Sequence, residues 1–356
     1  MAMRIIHPRP NPIVAAMYTL RDLNVDVIVV HGPAGCCFMA SRMLEEAGVR
    51  VVTSGLKEDD LIFGGMKPLV ETLQMVYEKF KPKVVAVIGT CSSMIIGEDM
   101  DAAIRQAALG CTVFSVNCHG CTGDNTTGAI LAIESANKAG LLSDEERERQ
   151  TFLMNAATSM EKRVGMAGRE YLSPTRGPTK LAAAKRILDV LRSGGKVCCV
   201  MLAKKELAFR FADMFLALSQ ARDRLGGDLL LLGNLDTGLG LPRIRGYAEA
   251  ITSELKENGV EFEAVGGLDE YALLGSRMKE RAETYGPDLL VIIGIPHAYP
   301  ELSAGQLLVT DQPRQLANYL SMGLDAVGEI ASHSMVMGAK SIVPLETGDT
   351  IRELLG

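Results

Sequence analysis

The 356-residue chain has no apolar run near the roughly 18–20 residues that a membrane-spanning helix needs. Its opening, Met1-Ala2-Met3-Arg4-Ile5-Ile6, lacks the long apolar stretch and small-residue cleavage site of a secretory signal. Both absences lead to the expectation of a cytoplasmic protein with no membrane role. Positive charge is not in surplus either: 37 Lys and Arg face 43 Asp and Glu, a net charge of −6. Phosphate neutralisation needs clustered Lys and Arg, so no nucleic-acid partner is expected. Nucleotide fingerprints are missing too. No Gly-x-x-x-x-Gly-Lys-Ser/Thr occurs, and Gly233-Asn234-Leu235-Asp236-Thr237-Gly238-Leu239-Gly240 departs from Gly-x-Gly-x-x-Gly. If ATP or NADH drives this protein, a partner must bring it. Trp is absent, and the 47% of hydrophobic residues suits an ordinary α/β protein rich in Val, Leu, Ile and Ala.

What is present is alternation. Apolar strands at 27–30, 49–53, 84–88 and 112–116 are each followed by a loop and a helical segment, at 37–47, 68–80, 99–109 and 126–139. The same rhythm returns after a charged stretch, with strands at 196–202, 229–232, 260–264, 289–293 and 306–309. Helices are expected at 179–192, 205–222, 268–285, 313–320, 324–337 and 347–355, a further one from Pro242 to Asn258, and a last strand at 341–343. Strands alternating with helices of this length predict doubly wound, parallel-sheet, Rossmann-like α/β domains. The expected division is a first domain at 1–140, a charged helical linker at 141–178, and a second α/β region at 179–356. That region is open to division into subdomains near 179–265 and 266–356.

Chemistry gathers in the loops. His31-Gly32-Pro33-Ala34-Gly35-Cys36-Cys37 follows the first strand, and Gly89-Thr90-Cys91-Ser92-Ser93-Met94-Ile95-Ile96-Gly97-Glu98-Asp99 follows the strand at 84–88. Loops at the carboxyl ends of parallel strands share one edge, where ligands sit, so Cys36 or Cys37 and Cys91 are expected near one another. A [4Fe–4S] cluster takes four thiolates. One chain offers two, Cys36 and Cys91, and a twofold axis would supply the other two, because most homo-oligomers are C2 dimers. Gly32, Gly35 and Gly89 would let backbone approach such a core. Against this stands the plainer reading of buried or incidental thiols, since no compact four-cysteine ferredoxin run is present. Cys36 and Cys37 are adjacent, so one is expected to ligate and the other to pack, and position favours Cys36. Cys111, Cys198 and Cys199 lie in or beside apolar strands, where Cys behaves as a small hydrophobe. Cys118-His119-Gly120-Cys121 leaves three readings open: a redox dithiol, half of a zinc site, or a plain strand-end loop with His119 facing the site. His31 and His119 are the candidate proton donors on this edge, and His297 follows the strand at 289–293. His7 and His333 complete the histidines. Arg243, Arg245 and Arg314 are candidates for holding carboxylates, against the plainer reading of solvated helix starts.

These two cysteine loops carry a resemblance. The His-Gly-Pro-x-Gly-Cys turn at 31–36 and the Thr90-Cys91 segment running into Ile96-Gly97-Glu98-Asp99 resemble the cluster-binding loops of nitrogenase component 1-like proteins. Asp124-Asn125-Thr126-Thr127-Gly128-Ala129 falls where that family starts a further helix near its cluster. The larger members carry an additional Cys upstream of the glycine turn; here no Cys precedes Cys36. The chain is therefore similar to the compact, two-cysteine branch of the family, which acts on a nickel tetrapyrrole. The resemblance implies a homodimer bridging a [4Fe–4S] cluster through Cys36 and Cys91, a nickel tetrapyrrole substrate, and an electron-donating partner. That partner would be a nitrogenase iron protein-like ATPase, with MgATP bound only there. Alternatives are reduction of another tetrapyrrole and a non-catalytic scaffold for a tetrapyrrole or metallocluster.

Overall fold

The computed structural model describes residues 11–164, 177–205, 207–310, 313–329 and 338–356. Two compact units result, one of His7–Asn155 and one that includes Ala156–Gly356.

In the first unit α1 (Pro12–Asp22) precedes β1 (Val27–His31), α2 (Phe38–Glu46), β2 (Arg50–Thr53), α3 (Glu58–Phe63) and α4 (Met66–Phe80). Then come β3 (Val84–Gly89), α5 (Cys91–Ile95), α6 (Met100–Ala107), β4 (Thr112–Val116) and α7 (Asn125–Lys138). Helix α8 (Asp144–Val164) crosses the division. The sheet order is β2-β1-β3-β4, with every pair parallel. Every residue of β1 is buried, as a central parallel strand covered on both faces requires. One face packs Val27, Val29, Val85 and Val87 against Leu69 and Leu73 of α4, with α6 beside them. Asn11 starts α1 by accepting the Val14 N–H at 2.9 Å, and Pro12 sits at the first helical position, where its missing N–H costs nothing.

In the second unit α9 (Pro178–Arg192) leads to β5 (Lys196–Leu202), α10 (Ala208–Leu225), β6 (Asp228–Gly233), α11 (Pro242–Glu257), β7 (Glu263–Ala264), α12 (Gly275–Tyr285) and β8 (Leu289–Gly294). The remaining elements are β9 (Leu307–Thr310), α13 (Pro313–Ser321), β10 (Asp325–Gly328) and α14 (Glu346–Leu355). Its six strands, ordered β10-β9-β8-β5-β6-β7, are again all parallel. Cys198, Val200, Leu202, Ile292 and Leu308 form its core with Met278 of α12. Cys198 and Cys199 are buried, in keeping with their reading as small hydrophobes.

Several boundaries differ from expectation. Within the helix expected at 324–337, Asp325–Gly328 is strand β10, paired in parallel with β9, and 330–337 lie outside the described residues. The strand expected at 341–343 does not form. There the Val343 N–H donates to Phe209 O (2.9 Å) and the Ile342 N–H to Glu254 Oε2 (2.6 Å), so these amides are satisfied without a sheet neighbour. Of the strand expected at 260–264 only Glu263–Ala264 pairs, and α12 begins at Gly275 rather than 268. Among the described residues no helix is long and apolar enough to cross a membrane.

Candidate functional site

From β1 the chain first winds outward to β2 and then returns to the other side of β1 at β3. The carboxyl ends of β1 and β3 therefore flank a topological switch point, the customary ligand position of an open parallel sheet. His31 and Gly89 stand level there in the register. Beyond His31 the chain turns at once: the Cys36 N–H donates to Pro33 O at 3.0 Å, and Cys37 takes a left-handed backbone (φ 59°, ψ 21°) immediately before α2. Beyond Gly89, Thr90 opens α5 through a capping box with Ser93, whose Oγ accepts the Thr90 N–H at 2.8 Å, and so makes Cys91 the first helical residue. Thr90 also sews the two strand ends together. Its Oγ1 donates to the His31 carbonyl at 2.9 Å, and a Cβ on Gly32 would collide with that same Oγ1. Gly89 is similarly enclosed, with the Cys118 carbonyl 3.1 Å from where a Cβ would be, whereas Gly35 faces open space.

The fold brings cysteines from three loops together. Cys91 is exposed, Cys36 and Cys37 are half-buried, and Cys118 is fully buried. Burial raises the Cys36 thiol, and the neighbouring Cys91 raises it further. Cys37 is pushed to about 11 by burial first and then by Cys36, Cys91 and Cys118. Cys118 is also pushed to about 11 by burial, with Cys91 adding and a hydrogen bond with Thr122 opposing. The register of β1 beside β3 is what sets the first two cysteine loops on one edge, within range of each other's charge. The Gly120 N–H donates to Cys91 Sγ at 3.2 Å, and a Cβ on Gly120 would come within 3.1 Å of that sulfur. Cys121, at the other end of the Cys-x-x-Cys segment, is exposed. A soft iron–sulfur core fits this donor set. Two sulfurs on one edge, an amide aimed at one of them and open space at Gly35 suit a thiolate-bound cluster, which deprotonates its own ligands on binding. Among the described residues no group of three or more His, Cys, Asp or Glu could hold a metal ion within one chain.

The two histidines of this edge differ. His119 is half-buried; its Nδ1 accepts the Cys121 N–H at 3.2 Å and its backbone N–H donates to Thr122 Oγ1 at 2.9 Å. His31 is sealed, with Nδ1 2.9 Å from Ser54 Oγ and Nε2 3.7 Å from Glu98 Oε2. Burial lowers its pKa, partly offset by Glu98, so the ring is neutral near pH 7. In the second unit His297 follows β8 in the short turn Pro296–Ala298, and Arg243 and Arg245 stand in the first turn of α11. Arg245 donates to Gly240 O at 3.0 Å. His7 and His333 and the side chain of Arg314 lie outside the described residues.

Sequence reasoning missed the partner of His31, Glu98, although both residues stand in the quoted loops. It also missed an apolar fringe. Phe38 and Met39 follow the cysteine pair, Ile95 (83% exposed) ends α5, and Ile62 and Phe63 (85% exposed) end α3, a helix that buries none of its residues. The available signal was Leu61-Ile62-Phe63 directly after Glu58-Asp59-Asp60, with no helical period to place it inward.

Residues 12–168 match the family described as nitrogenase component 1 type oxidoreductase. The chain is 44% identical, over 98% of its length and 98% of the relative's, to the Ni-sirohydrochlorin a,c-diamide reductive cyclase complex component CfbD of Methanothermobacter thermautotrophicus. It is 45% identical to the component of that name from Methanosarcina acetivorans, over 98% of this chain and 97% of that one. A shorter match, 39% identical over 28% of the chain and 23% of the relative, is to the nitrogenase molybdenum–iron protein beta chain of Methanococcus maripaludis. With both cysteine loops inside the matched segment and near full-length relatives of that kind, the chain belongs to the nitrogenase component 1 type oxidoreductases, as a reductive cyclase component.

Proposed function

We propose that this chain is the catalytic component of a complex that reduces Ni-sirohydrochlorin a,c-diamide and closes a lactam ring on it. The observation that carries the reading is the near full-length likeness to relatives of that name, joined to the convergence of Cys36 and Cys91 on one sheet edge. Two copies of the chain form a homodimer, and Cys36 and Cys91 of each hold one [4Fe–4S] cluster between them. When bound, the cluster supplies one-electron storage between a nitrogenase iron protein-like ATPase and the nickel tetrapyrrole; MgATP stays on that partner.

The chain's own residues do the rest. Thr90 locks the two cysteine loops at fixed separation by holding the His31 carbonyl. The Gly120 N–H stabilises charge on Cys91 Sγ. His119, half-buried with Nδ1 already engaged as an acceptor, presents its proton from Nε2 and suits proton delivery; His31 is enclosed and suits a supporting role. The exposed apolar residues Phe38, Met39 and Ile95 beside the thiols suit burial against a second copy. Arg243 and Arg245 are candidates for the substrate's carboxylates.

Turnover of Ni-sirohydrochlorin a,c-diamide with an iron protein-like partner and MgATP tests the reading. A brown anaerobic protein with about 4 Fe per dimer and product formation supports it. A colourless protein that binds the macrocycle without reducing it points to a scaffold instead, and turnover of a different tetrapyrrole alone overturns the substrate assignment.

A further inference from the structure

His31 is faced by polar groups at both ring nitrogens, and at Nε2, which makes no hydrogen bond among the described residues, stands a carboxylate outside every role so far assigned. The Gly32 N–H donates to Ser54 Oγ at 3.1 Å, and among the described residues the acceptor within reach of the Ser54 hydroxyl is His31 Nδ1, 2.9 Å away, so that hydroxyl is assigned as the donor. An imidazole that accepts at Nδ1 carries its proton on Nε2. That proton faces the Glu98 carboxylate, whose Oε2 is 3.7 Å off, beyond a formed hydrogen bond but near enough for the negative oxygen to favour an N–H over a lone pair. The other carboxylate oxygen, Oε1, accepts the Gly65 N–H. Gly65 in turn packs on the ring, since a Cβ there would stand 3.1 Å from His31 Cε1 and 2.8 Å from Leu56 Cδ2. The Glu98 side chain is only 7% exposed, and among the described residues no Lys or Arg pairs with it. A carboxylate so enclosed is retained at a cost unless its hydrogen bonds are needed where it stands.

We propose that Glu98 is a positioning residue, tying the α3–α4 turn at Gly65 to His31 in its Nε2–H form and so bracing the strand end that carries the Cys36 loop. Three segments meet at this carboxylate: the end of β1, the loop between α5 and α6, and the turn before α4. The bracing rests on the cluster reading for its purpose, whereas the tautomer and the Gly65 bond are properties of the chain alone.

Substitution separates the two oxygens. Glu98→Gln keeps one carbonyl oxygen, enough for Gly65, and turns an NH2 group toward Nε2–H, which drives His31 to its Nδ1–H form while the Ser54 hydroxyl rotates away. Glu98→Ala removes both holds, and Glu98→Asp restores the charge. The experiment is imidazole 15N NMR and amide exchange on the full iron-free chain, followed by chelator-driven iron release from the reconstituted protein. The wild type is expected in the Nε2–H form and Glu98→Gln in the Nδ1–H form, and Gly65 exchange is expected about tenfold faster in Glu98→Ala. Iron release is expected about tenfold faster in Glu98→Gln, as for a lost outer support of a metal ligand, with Glu98→Asp returning toward wild type. A wild-type Nδ1–H form, unchanged Gly65 exchange in Glu98→Ala, or unchanged iron release alongside a switched tautomer overturns the inference. A wild type that takes up no iron removes the cluster reading and with it the bracing purpose, while the NMR and exchange results still decide whether the hold exists.

Discussion

Both sheets place polar residues at a switch point, yet the two edges treat them oppositely. In the first unit the ends of β1 and β3 leave sulfur exposed or half-exposed at Cys91 and Cys36. In the second, the chain leaves β5 for β6 and β7, then returns to β8 on the other side, so its switch point lies between β5 and β8. There, His297 apart, the polar groups are spent on one another. Lys204 pairs with Glu161, and Tyr271 donates to that carboxylate at 3.2 Å. Asn234 both accepts from and donates to Ala203, at 3.1 and 2.9 Å. Farther along the same edge Glu329, just past β10, takes Lys180 at 3.3 Å and the Thr347 N–H at 3.0 Å. Polar residues at a sheet edge therefore do not by themselves mark a site. What distinguishes the first edge is donor atoms that converge while staying partly open.

The sharpest way to break this comparison is Cys91→Ser. If the first edge seats a cluster, the variant protein loses essentially all of its roughly 4 Fe per dimer, measured by iron content after anaerobic reconstitution. Undiminished iron in both Cys91→Ser and Cys36→Ser would falsify the assignment. On the second edge the large effect should be on stability. Lys180 and Glu329 are both fully buried, so Lys180→Ala strands a carboxylate and is expected to cost about 3–5 kcal/mol by urea unfolding, with iron content unchanged. A loss of iron on that substitution would erase the contrast between the edges.

Next in size is an acid response seated at His297. Its two ring nitrogens are buried without a hydrogen-bond partner among the described residues. Burial lowers its pKa to about 4, Lys204 adding to the effect and Glu161 opposing it. The unfolded chain binds this proton below about 6.5 and the folded chain only below about 4, so stability falls as pH drops through that window. The full loss is about 3 kcal/mol. His297→Leu should flatten that limb of the unfolding free energy against pH. His31, whose pKa burial lowers in the same sense, contributes to what slope remains.

Much of the scaffold was legible because parallel strands buried on both faces read as unbroken apolar runs, as 27–30, 84–88 and 289–293 do. The misses share a cause. Leu324-Asp325-Ala326-Val327-Gly328 is too short and mixed for periodicity to separate strand from helix, and only its parallel pairing with β9 decides. Ser341-Ile342-Val343 reads as a strand from composition, yet its amides go to Phe209 and Glu254, far away in sequence. At the site, spacing after buried strands was enough to bring Cys36 and Cys91 to one edge. It could not reveal Thr90 as the stitch between the loops, nor Glu98 as the partner of His31, because both depend on contacts across 59 and 67 positions.

The smallest expected effect is the most discriminating, because it holds the element constant and changes only the edge. Cys198 lies within β5, fully buried, its thiol pushed up to about 12 by burial alone. No neighbouring thiolate contributes to that rise, in contrast to Cys36, where Cys91 does. Cys198→Ala removes one buried sulfur from the packed core, at an expected cost of about 1 kcal/mol in urea unfolding. Iron content, colour and turnover should match the wild type, since a thiol sealed among Val200, Leu232 and Ile292 cannot reach a shared core. A fall in iron on this substitution would mean that the second sheet also supplies a ligand, and the division of labour between the two edges would have to be redrawn.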